Sequence, residues 1–363
     1  MTPAGTAAAA PRPGGHSLVV RFDSVGDVLL TGPAIRAVAA GSDRVTVLAG
    51  AHGAAAARLL PGVDRVLEWT APWIDPRPDP VTRADIDALV EELAALGVDR
   101  ALIVTSFHQS ALPTALALRM AGIGWIGAYS TDYPGALLDL RLRPPGDVPE
   151  SERALQLAEA AGFPSPAGDD RLLAVRRPLP PLRAPVPEGR YVVYHPGASV
   201  PARRPTAAVA AAHVAALAAA GHTVVVTGGP GECALTAETA AAGGIDLGGA
   251  TDLAALAAVL DRAECVIAPN TGAAHLAAAV GTPVVSLFAP VVPATRWAPH
   301  GVPTAVLGDQ GAVCADSRAV DCPIPGHPCL DEIAPTAVVA AVDRLTGGAG
   351  KAPSTTAGRE QKR

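Results

Sequence analysis

Glu264-Cys-Val-Ile-Ala-Pro-Asn-Thr-Gly-Ala-Ala-His-Leu-Ala-Ala-Ala-Val-Gly-Thr-Pro-Val-Val-Ser-Leu-Phe-Ala-Pro290 reads as a buried strand over 265–268, a tight turn with Asn270, Thr271 and Gly272, a small-residue helix over 273–280 and a second buried strand over 283–288. Strand, turn, helix and strand in that order make a unit of a parallel sheet. The first turn of such a helix leaves backbone N–H groups unpaired at the carboxyl end of the sheet, where an anion such as a diphosphate settles. Thr271 and His275 lie four apart and project from one face of the helix start. Small residues at Gly272, Ala273 and Ala274 let a ligand approach the backbone. An Asn-Thr cap on an ordinary connection accounts for the same residues equally well, so the rest of the chain has to decide.

Working back from this unit, residues 190–195 read as a strand, 196–205 as a loop with Ser199, Arg203 and Arg204, and 206–220 as a helix. Residues 222–227 form the next strand, which ends in the Gly-rich loop Gly228-Gly-Pro-Gly-Glu232 before another helix, and 252–262 form a helix that delivers the chain to Glu264. The loops holding Arg203, Glu232 and Asn270 each follow a strand, so all three are expected on one rim of a parallel sheet. The front of the chain has the same rhythm. Ser17-Leu-Val-Val-Arg-Phe22 is a short apolar strand, Asp23-Ser-Val-Gly-Asp27 a turn, and 28–40 a helix with Pro33 early in it. Strands at 44–49, 63–69, 100–105 and 122–128 alternate with helices at 51–60, 83–96 and up to Met120. This pattern predicts an α/β fold with two doubly wound parallel sheets.

The 363 residues suit two domains of roughly 150 to 180 residues each. The expected division is a disordered leader over 1–15, a first domain over 16–165, a Pro/Arg/Gly-rich linker over 166–189, a second domain over 190–346 and a disordered tail over 347–363. Hydrophobic residues make up 49% but aromatics only 3%, so Ala- and Val-rich helices must pack tightly on the sheets. There is no apolar run of about 18 residues, and the leader lacks the apolar segment of a secretion signal. A cytoplasmic location is expected. The net charge of −6, with signs mixed, argues against nucleic acid as a partner. Five cysteines do not make a disulfide framework. Cys314, Cys322, His327 and Cys329 fall within sixteen positions, but their spacing matches no tight zinc knuckle, and reduced thiols are preferred to a metal site.

A carboxylate at the mouth of the first strand–helix turn and an anion-binding rim on the second domain suit transfer from a phosphate-activated donor. Asp27 would serve as general base on an acceptor hydroxyl, although a residue in that place also simply caps a helix. Arg203 and the N–H groups at Thr271 and Gly272 would stabilise the leaving diphosphate, with Glu232 accepting hydrogen bonds from ribose hydroxyls. Protein donors alone neutralise the phosphates, and the only Asp-x-Asp pair, Asp85 and Asp87, diverges on a helix instead of bridging a metal. The loops at Trp73, Arg77 and Arg83 and at His108 and Gln109 are long or polar enough to contact a substrate, although an ordinary surface connection is the preferred reading of each.

The run Val19-Val-Arg-Phe-Asp-Ser-Val-Gly-Asp-Val-Leu-Leu-Thr-Gly-Pro-Ala-Ile-Arg36, the segment His195-Pro-Gly-Ala-Ser199, the loop Gly228-Gly-Pro-Gly-Glu232 and the run from Asn270 to Val285 resemble the family 9 glycosyltransferases, the ADP-heptose:lipopolysaccharide heptosyltransferases. The resemblance extends in register over about 17–345. It implies a GT-B fold, no cofactor, and metal-independent, inverting transfer of a heptose from an ADP-activated donor held by the second domain. The resemblance implies a lipid-linked core sugar of lipopolysaccharide as acceptor, with peripheral membrane contact, while the sequence shows no amphipathic basic anchor and leaves a soluble or differently anchored acceptor equally open. By motif, Asp27 matches the catalytic aspartate, Arg203 the phosphate-binding lysine, Ser199 a hydroxyl residue at the phosphates and Glu232 the ribose-binding glutamate. Thr271, Gly272 and His275 match the diphosphate-binding turn. Asn270 stands where the family usually has a sugar-binding Asp, Arg203 replaces Lys, an aromatic before Pro205 is missing, and Ser317 stands where some members have a further Cys.

Two other readings compete. An NAD-dependent oxidoreductase requires G-x-G-x-x-G after the first strand, and Asp23-Ser-Val-Gly-Asp27 lacks it. A transferase for another nucleotide sugar, or a non-catalytic sugar-nucleotide-binding protein, keeps the fold and changes the activity.

Overall fold

The structure, a computed structural model, describes residues 14–347 except 76, 183 and 184. Apart from Gly14, Gly15 and Gly347, the leader and tail expected to be disordered lie outside the described residues. Among the described residues the strands are β1 (His16–Arg21), β2 (Arg44–Ala49), β3 (Arg65–Glu68), β4 (Arg100–Ile103), β5 (Trp125–Tyr129) and β6 (Leu140–Leu142), then β7 (Val192–Tyr194), β8 (Val224–Gly228), β9 (Gly244–Gly248), β10 (Val266–Pro269), β11 (Val284–Leu287) and β12 (Thr304–Leu307). They form two six-stranded sheets, ordered β3-β2-β1-β4-β5-β6 and β12-β11-β10-β7-β8-β9, which are the same winding built twice. The ladders are parallel, and the register at the centre of the first sheet sets Ser17 opposite Val45 on one side and Arg100 on the other. Central strands such as β1, β10 and β11 are buried along their whole length, as expected when helices cover both faces of a sheet.

In each sheet the order reverses once, between β1 and β4 and between β7 and β10. Such a switch point opens a crevice beyond the strand carboxyl ends, because the flanking connections leave on opposite faces. The loops after β1 and β4 and those after β7 and β10 carry the residues discussed below.

Several elements differ from the sequence expectation. The first helix begins at Val25, not Val28, and breaks at Thr31 into Val25–Leu30 and Gly32–Ala40. Pro33 has no N–H with which to continue the ladder, and the Thr31 hydroxyl donates to the Asp27 carbonyl at 3.0 Å. Asp27 therefore lies inside the first helical turn instead of before it. β6 and β9 were not expected. Both are edge strands, β6 with three half-buried residues and β9 with only Leu247 buried, so neither has a clear apolar period. Beyond β11, Ala294–Trp297 forms a short helix with no counterpart in the sequence expectation.

Among the described residues no strand or helix lies between Ala160 and Val192, yet this stretch is anchored. Asp169 takes two hydrogen bonds from Arg36 at 2.6 and 2.8 Å, and Arg177 pairs with Asp261 of the second half at 2.6 Å. Among the described residues no helix is long and apolar enough to cross a membrane.

Candidate active site

The two halves meet where the helices Val25–Leu30 and Gly272–Val280 begin. A Cβ on Gly26 would lie 2.8 Å from His275 Cδ2, and one on Gly272 would lie 2.8 Å from Val25 Cγ1. Only glycine at both places lets the two helix starts come this close. Asp27 is thereby brought against the second half, beside His275 and within electrostatic reach of Arg203.

On the first half, Asp27 keeps a side-chain exposure of 20% and is held from two sides. Arg21 Nη2 donates to Oδ1 at 3.0 Å, and the Ser24 hydroxyl donates to Oδ2 at 2.9 Å. Burial favours protonation of this carboxyl, but Arg21, the Ser24 hydrogen bond, His275 and Arg203 together hold it below the usual carboxylate range. Asp23 is pushed the other way. Burial, aided by the charges of Asp27 and Glu150 and opposed by Arg21 and Gln109, raises it to about 6.

The loop after β4, expected to be surface, belongs to this site. Ser106 accepts from Arg21 at 2.9 Å, and the Gln109 amide donates to Asp23 at 2.5 Å. His108 is driven down to about 4 by burial and by Arg318. Arg21 itself was missed by the motif reading, although a charged residue closing an apolar strand, with acids two and six positions on, is the signal of a buried ion pair. Of the other loops, Trp73 is taken up in packing, donating to Thr114 at 3.0 Å and lying 5.3 Å from Trp69, and Arg83 pairs with Asp87 at 3.1 Å. Asp85 is the capping partner of Thr82 at 2.5 Å, so Asp85 and Asp87 face different partners, as the helical spacing requires.

On the second half, Asn270, Thr271, Gly272 and His275 gather at the β10 switch point, with Ser199 and Arg203 on the loop after β7. Asn270 and His275 are buried, and Asn270 Nδ2, His275 Nδ1 and Arg203 Nε have no hydrogen-bond partner among the described residues. His275 is driven to about 4 by burial, so its ring is neutral near pH 7. Arg204 turns away to line a separate hollow with Leu235 and His327. Glu232 curls back to accept from its own loop at Gly229 N, 2.8 Å, and lies 4.0 Å from His195 Nε2. Ser199 is exposed.

In the segment 314–329 Arg318 reaches the site, but the three cysteines and His327 find other partners. Cys314 and Cys329 are buried, the Cys322 thiol points to the Ile324 carbonyl, and His327 Nε2 lies 3.2 Å from the Ala202 carbonyl. Burial and the neighbouring Cys314 and Cys322 raise the Cys329 thiol to about 11. Among the described residues no group of three His, Cys, Asp or Glu side chains is placed to hold a metal ion.

Comparison with known proteins bears on the family and the fold. The family model described as glycosyltransferase family 9 (heptosyltransferase) matches residues 86–324, well over half of the chain, beginning after Asp27. A glycosyl transferase family 9 structure from Veillonella parvula superposes with a TM-score of 0.72 at 15% identity, covering 92% of this chain and 97% of that one. The E. coli ADP-heptose LPS heptosyltransferase II gives 0.67 at 19% identity, over 91% and 98%. E. coli heptosyltransferase WaaC, solved with ADP-2-deoxy-2-fluoro heptose, gives 0.65 at 20% identity, over 91% and 99%. Among curated proteins nothing matches. The fold is the GT-B arrangement of two Rossmann-like halves about a cleft.

Proposed function

Because the chain belongs to glycosyltransferase family 9, we propose that it moves a heptose or a related sugar, with inversion, from an ADP-activated donor to a hydroxyl of a glycan or glycolipid acceptor. The observation that carries this reading is the meeting of Asp27 with His275 and Arg203 across the cleft. Asp27 takes the acceptor proton as the hydroxyl attacks the anomeric carbon, and the sugar–phosphate bond breaks on the opposite face. Charge then develops on the departing diphosphate. Arg203 and the first N–H groups of the helix Gly272–Val280 receive it, and the neutral His275 can donate a hydrogen bond without adding charge. These donors suffice without a metal ion. Ser199 stands beside the phosphates, and Glu232 is offered to the ribose hydroxyls once it releases Gly229.

In this reading residues 16–165 bind the acceptor and 190–346 the donor. A nucleotide-activated donor places the reaction in the cytoplasm, with peripheral membrane contact where the acceptor is lipid-linked. Asn270 favours a sugar other than the family's usual one: its amide contributes a neutral donor where a carboxylate accepts.

Asp27→Asn tests the proposal. Turnover, followed as ADP release, is expected to fall by about 10² or more while ADP-sugar affinity holds. Unchanged turnover removes Asp27 as the base. A binding screen against ADP, UDP and GDP sugars tests the donor; a UDP preference keeps the chemistry and overturns the ADP assignment.

A further inference from the structure

Arg21 closes β1 with a side chain only 2% exposed, and four elements converge on it. Asp23 lies at 2.8 Å from Nε, an ion-pair distance without the alignment of a hydrogen bond. Asp27 is at 3.0 Å, Ser106 at 2.9 Å, and Glu150, from the start of the helix Glu150–Ala160, at 3.9 Å. Glu150 is held in turn by Arg153 at 3.2 Å, and Arg153 donates to the Thr105 carbonyl and sits 4.7 Å from the Tyr129 ring. Two arginines thus face three carboxylates where little water enters. Taking one partner from such a set leaves an uncompensated charge, so the set behaves as a unit. A planar guanidinium gripped from several sides cannot turn. Its Nη2 fixes Asp27 by one oxygen and leaves the carboxylate facing His275 across the cleft.

We infer that Arg21 is a positioning residue of the transfer reaction: held by Asp23, Ser106 and Glu150, it aims the Asp27 carboxylate at the cleft and keeps it charged, while Asp23 competes with Asp27 for that charge. This rests on the reading of Asp27 as the base. The groups that face Asp27 are Arg21, Asp23 and Ser24 from its own side, His108 from the loop after β4, His275 from the helix Gly272–Val280 and Arg203 from the loop after β7. Arg21 is the cation in direct contact. Burial sets the Asp23 proton at about 6. Once Asp23 is protonated, Arg21 is shared by one carboxylate fewer and the repulsion between Asp23 and Asp27 is gone, which makes Asp27 a weaker base.

The test uses the full chain, with Arg21→Met, Arg21→Lys and Asp23→Asn. Three quantities are measured: the ¹³C-carboxyl titration of Asp27, which needs no substrate, the pH dependence of ADP release, and the ADP-sugar Kd by calorimetry. In Arg21→Met the Asp27 titration and the acid limb of kcat move to higher pH by about one unit or more. The kcat at pH 7 falls about tenfold or more, with Kd within about threefold. Arg21→Lys restores most of the titration and only part of kcat, since it returns the charge without the fork. Asp23→Asn removes the change in rate around pH 6. An Asp27 titration that does not move in folded Arg21→Met, or donor affinity that falls in step with kcat, overturns the inference. If Arg21→Met does not fold, a rate step near pH 6 that persists in Asp23→Asn overturns it equally. A wild-type chain that neither binds ADP-sugar nor releases ADP refutes the transferase reading, and the Asp27 titration still decides what Arg21 does.

Discussion

Replacing Gly26 by alanine puts a methyl carbon 2.8 Å from His275 Cδ2 and 3.4 Å from Gly272 Cα. Ordinary carbon contacts lie at about 3.5–4.0 Å, so the ring or the helix behind it must retreat by roughly 0.7 to 1.2 Å. The ring has nowhere to swing, because His275 is 3% exposed in a helix whose residues Ala273 to Val280 are all buried. The helix Gly272–Val280 therefore shifts as a body against Val25–Leu30, at a cost of about 1–3 kcal/mol for overpacking. A misplacement near 1 Å between base and leaving-group site lowers the rate by about 10². Gly124→Ala is the control, since its added carbon meets nothing nearer than the Asp99 carbonyl at 3.8 Å. ADP release at saturating donor and denaturant unfolding are measured for both. Gly26→Ala should lose about 10² in kcat with a modest loss of stability, and Gly124→Ala should match wild type. Wild-type turnover in Gly26→Ala, or an equal loss in Gly124→Ala, refutes the idea that this contact sets the geometry of transfer.

Stability should fall as the pH falls from about 6.5 to 4. Burial lowers His275 and His108 to about 4 and also lowers His195 and His213, so the unfolded chain takes up protons over this range before the folded one does. The depressed Asp27 adds a further loss only below about 3.9, beneath this range. Asp23 opposes them, because its raised pKa gives a contribution that is full below about 3.9 and lost as the pH rises through about 6. Four histidines against one carboxylate decide the sign, and urea unfolding that shows greater stability at pH 5 than at pH 7 overturns it. The second prediction concerns the clasp at Phe107, whose ring lies 4.4 Å from the Arg296 guanidinium, 5.3 Å from that of Arg318 and 5.6 Å from the Trp297 ring. Arg296 also pairs with Asp147 at 2.7 Å, where Asp147 is 61% exposed and the pair correspondingly weak. Arg296→Ala should raise the donor KM about fivefold, a cost of about 1 kcal/mol for closing the cleft, with kcat little changed. Phe107→Ala should do the same without adding to it, and strictly additive effects in the double variant exclude a shared clasp.

The parallel sheets were legible because β1, β10 and β11 are continuous apolar runs bounded by turn residues, a pattern that burial on both faces imposes. The second-half site was legible for a related reason. Turns that follow parallel strands must emerge at one rim, so Arg203, Glu232 and Asn270 could be grouped before any distance was known. β6 and β9 were hidden because an edge strand carries no two-sided apolar signal. Arg21, Ser106, Gln109 and Glu150 were hidden because their importance lies in pairing across up to 129 positions of sequence, from Arg21 to Glu150, and no local pattern encodes such a pairing. At His327 nearness in sequence to three cysteines left a shared ligand set as the less favoured reading, and there the backbone is left-handed, at φ 48°, with the ring against the Ala202 carbonyl.

The two faces of the cleft differ in what their unpaired atoms meet. On the first half, both oxygens of Asp27 already have donors, and the atoms left without a hydrogen bond, Arg21 Nε, Asp23 Oδ2, Glu150 Oε1 and Arg153 Nε, belong to charged groups that pair with one another. On the second half, Arg203 Nε, Asn270 Nδ2 and His275 Nδ1 stand without partners among the described residues. A buried polar group left unpaired costs about 1–3 kcal/mol, so this rim gains most from a ligand rich in acceptor oxygens. A nucleotide diphosphate joined to a sugar is such a ligand. The arrangement also separates the two tasks of a transferase: the base must be fixed before the acceptor arrives, whereas the leaving-group site works best when its donors are free to take up charge as it develops. Exchanging Asn270 for Asp tests this division, since it removes one open donor and places a carboxylate where the donor's own negative charge arrives. ADP-sugar affinity should then fall by about tenfold, with the Asp27 titration unmoved. Equal or tighter binding would mean that the rim recognises the sugar through acceptors instead of donors.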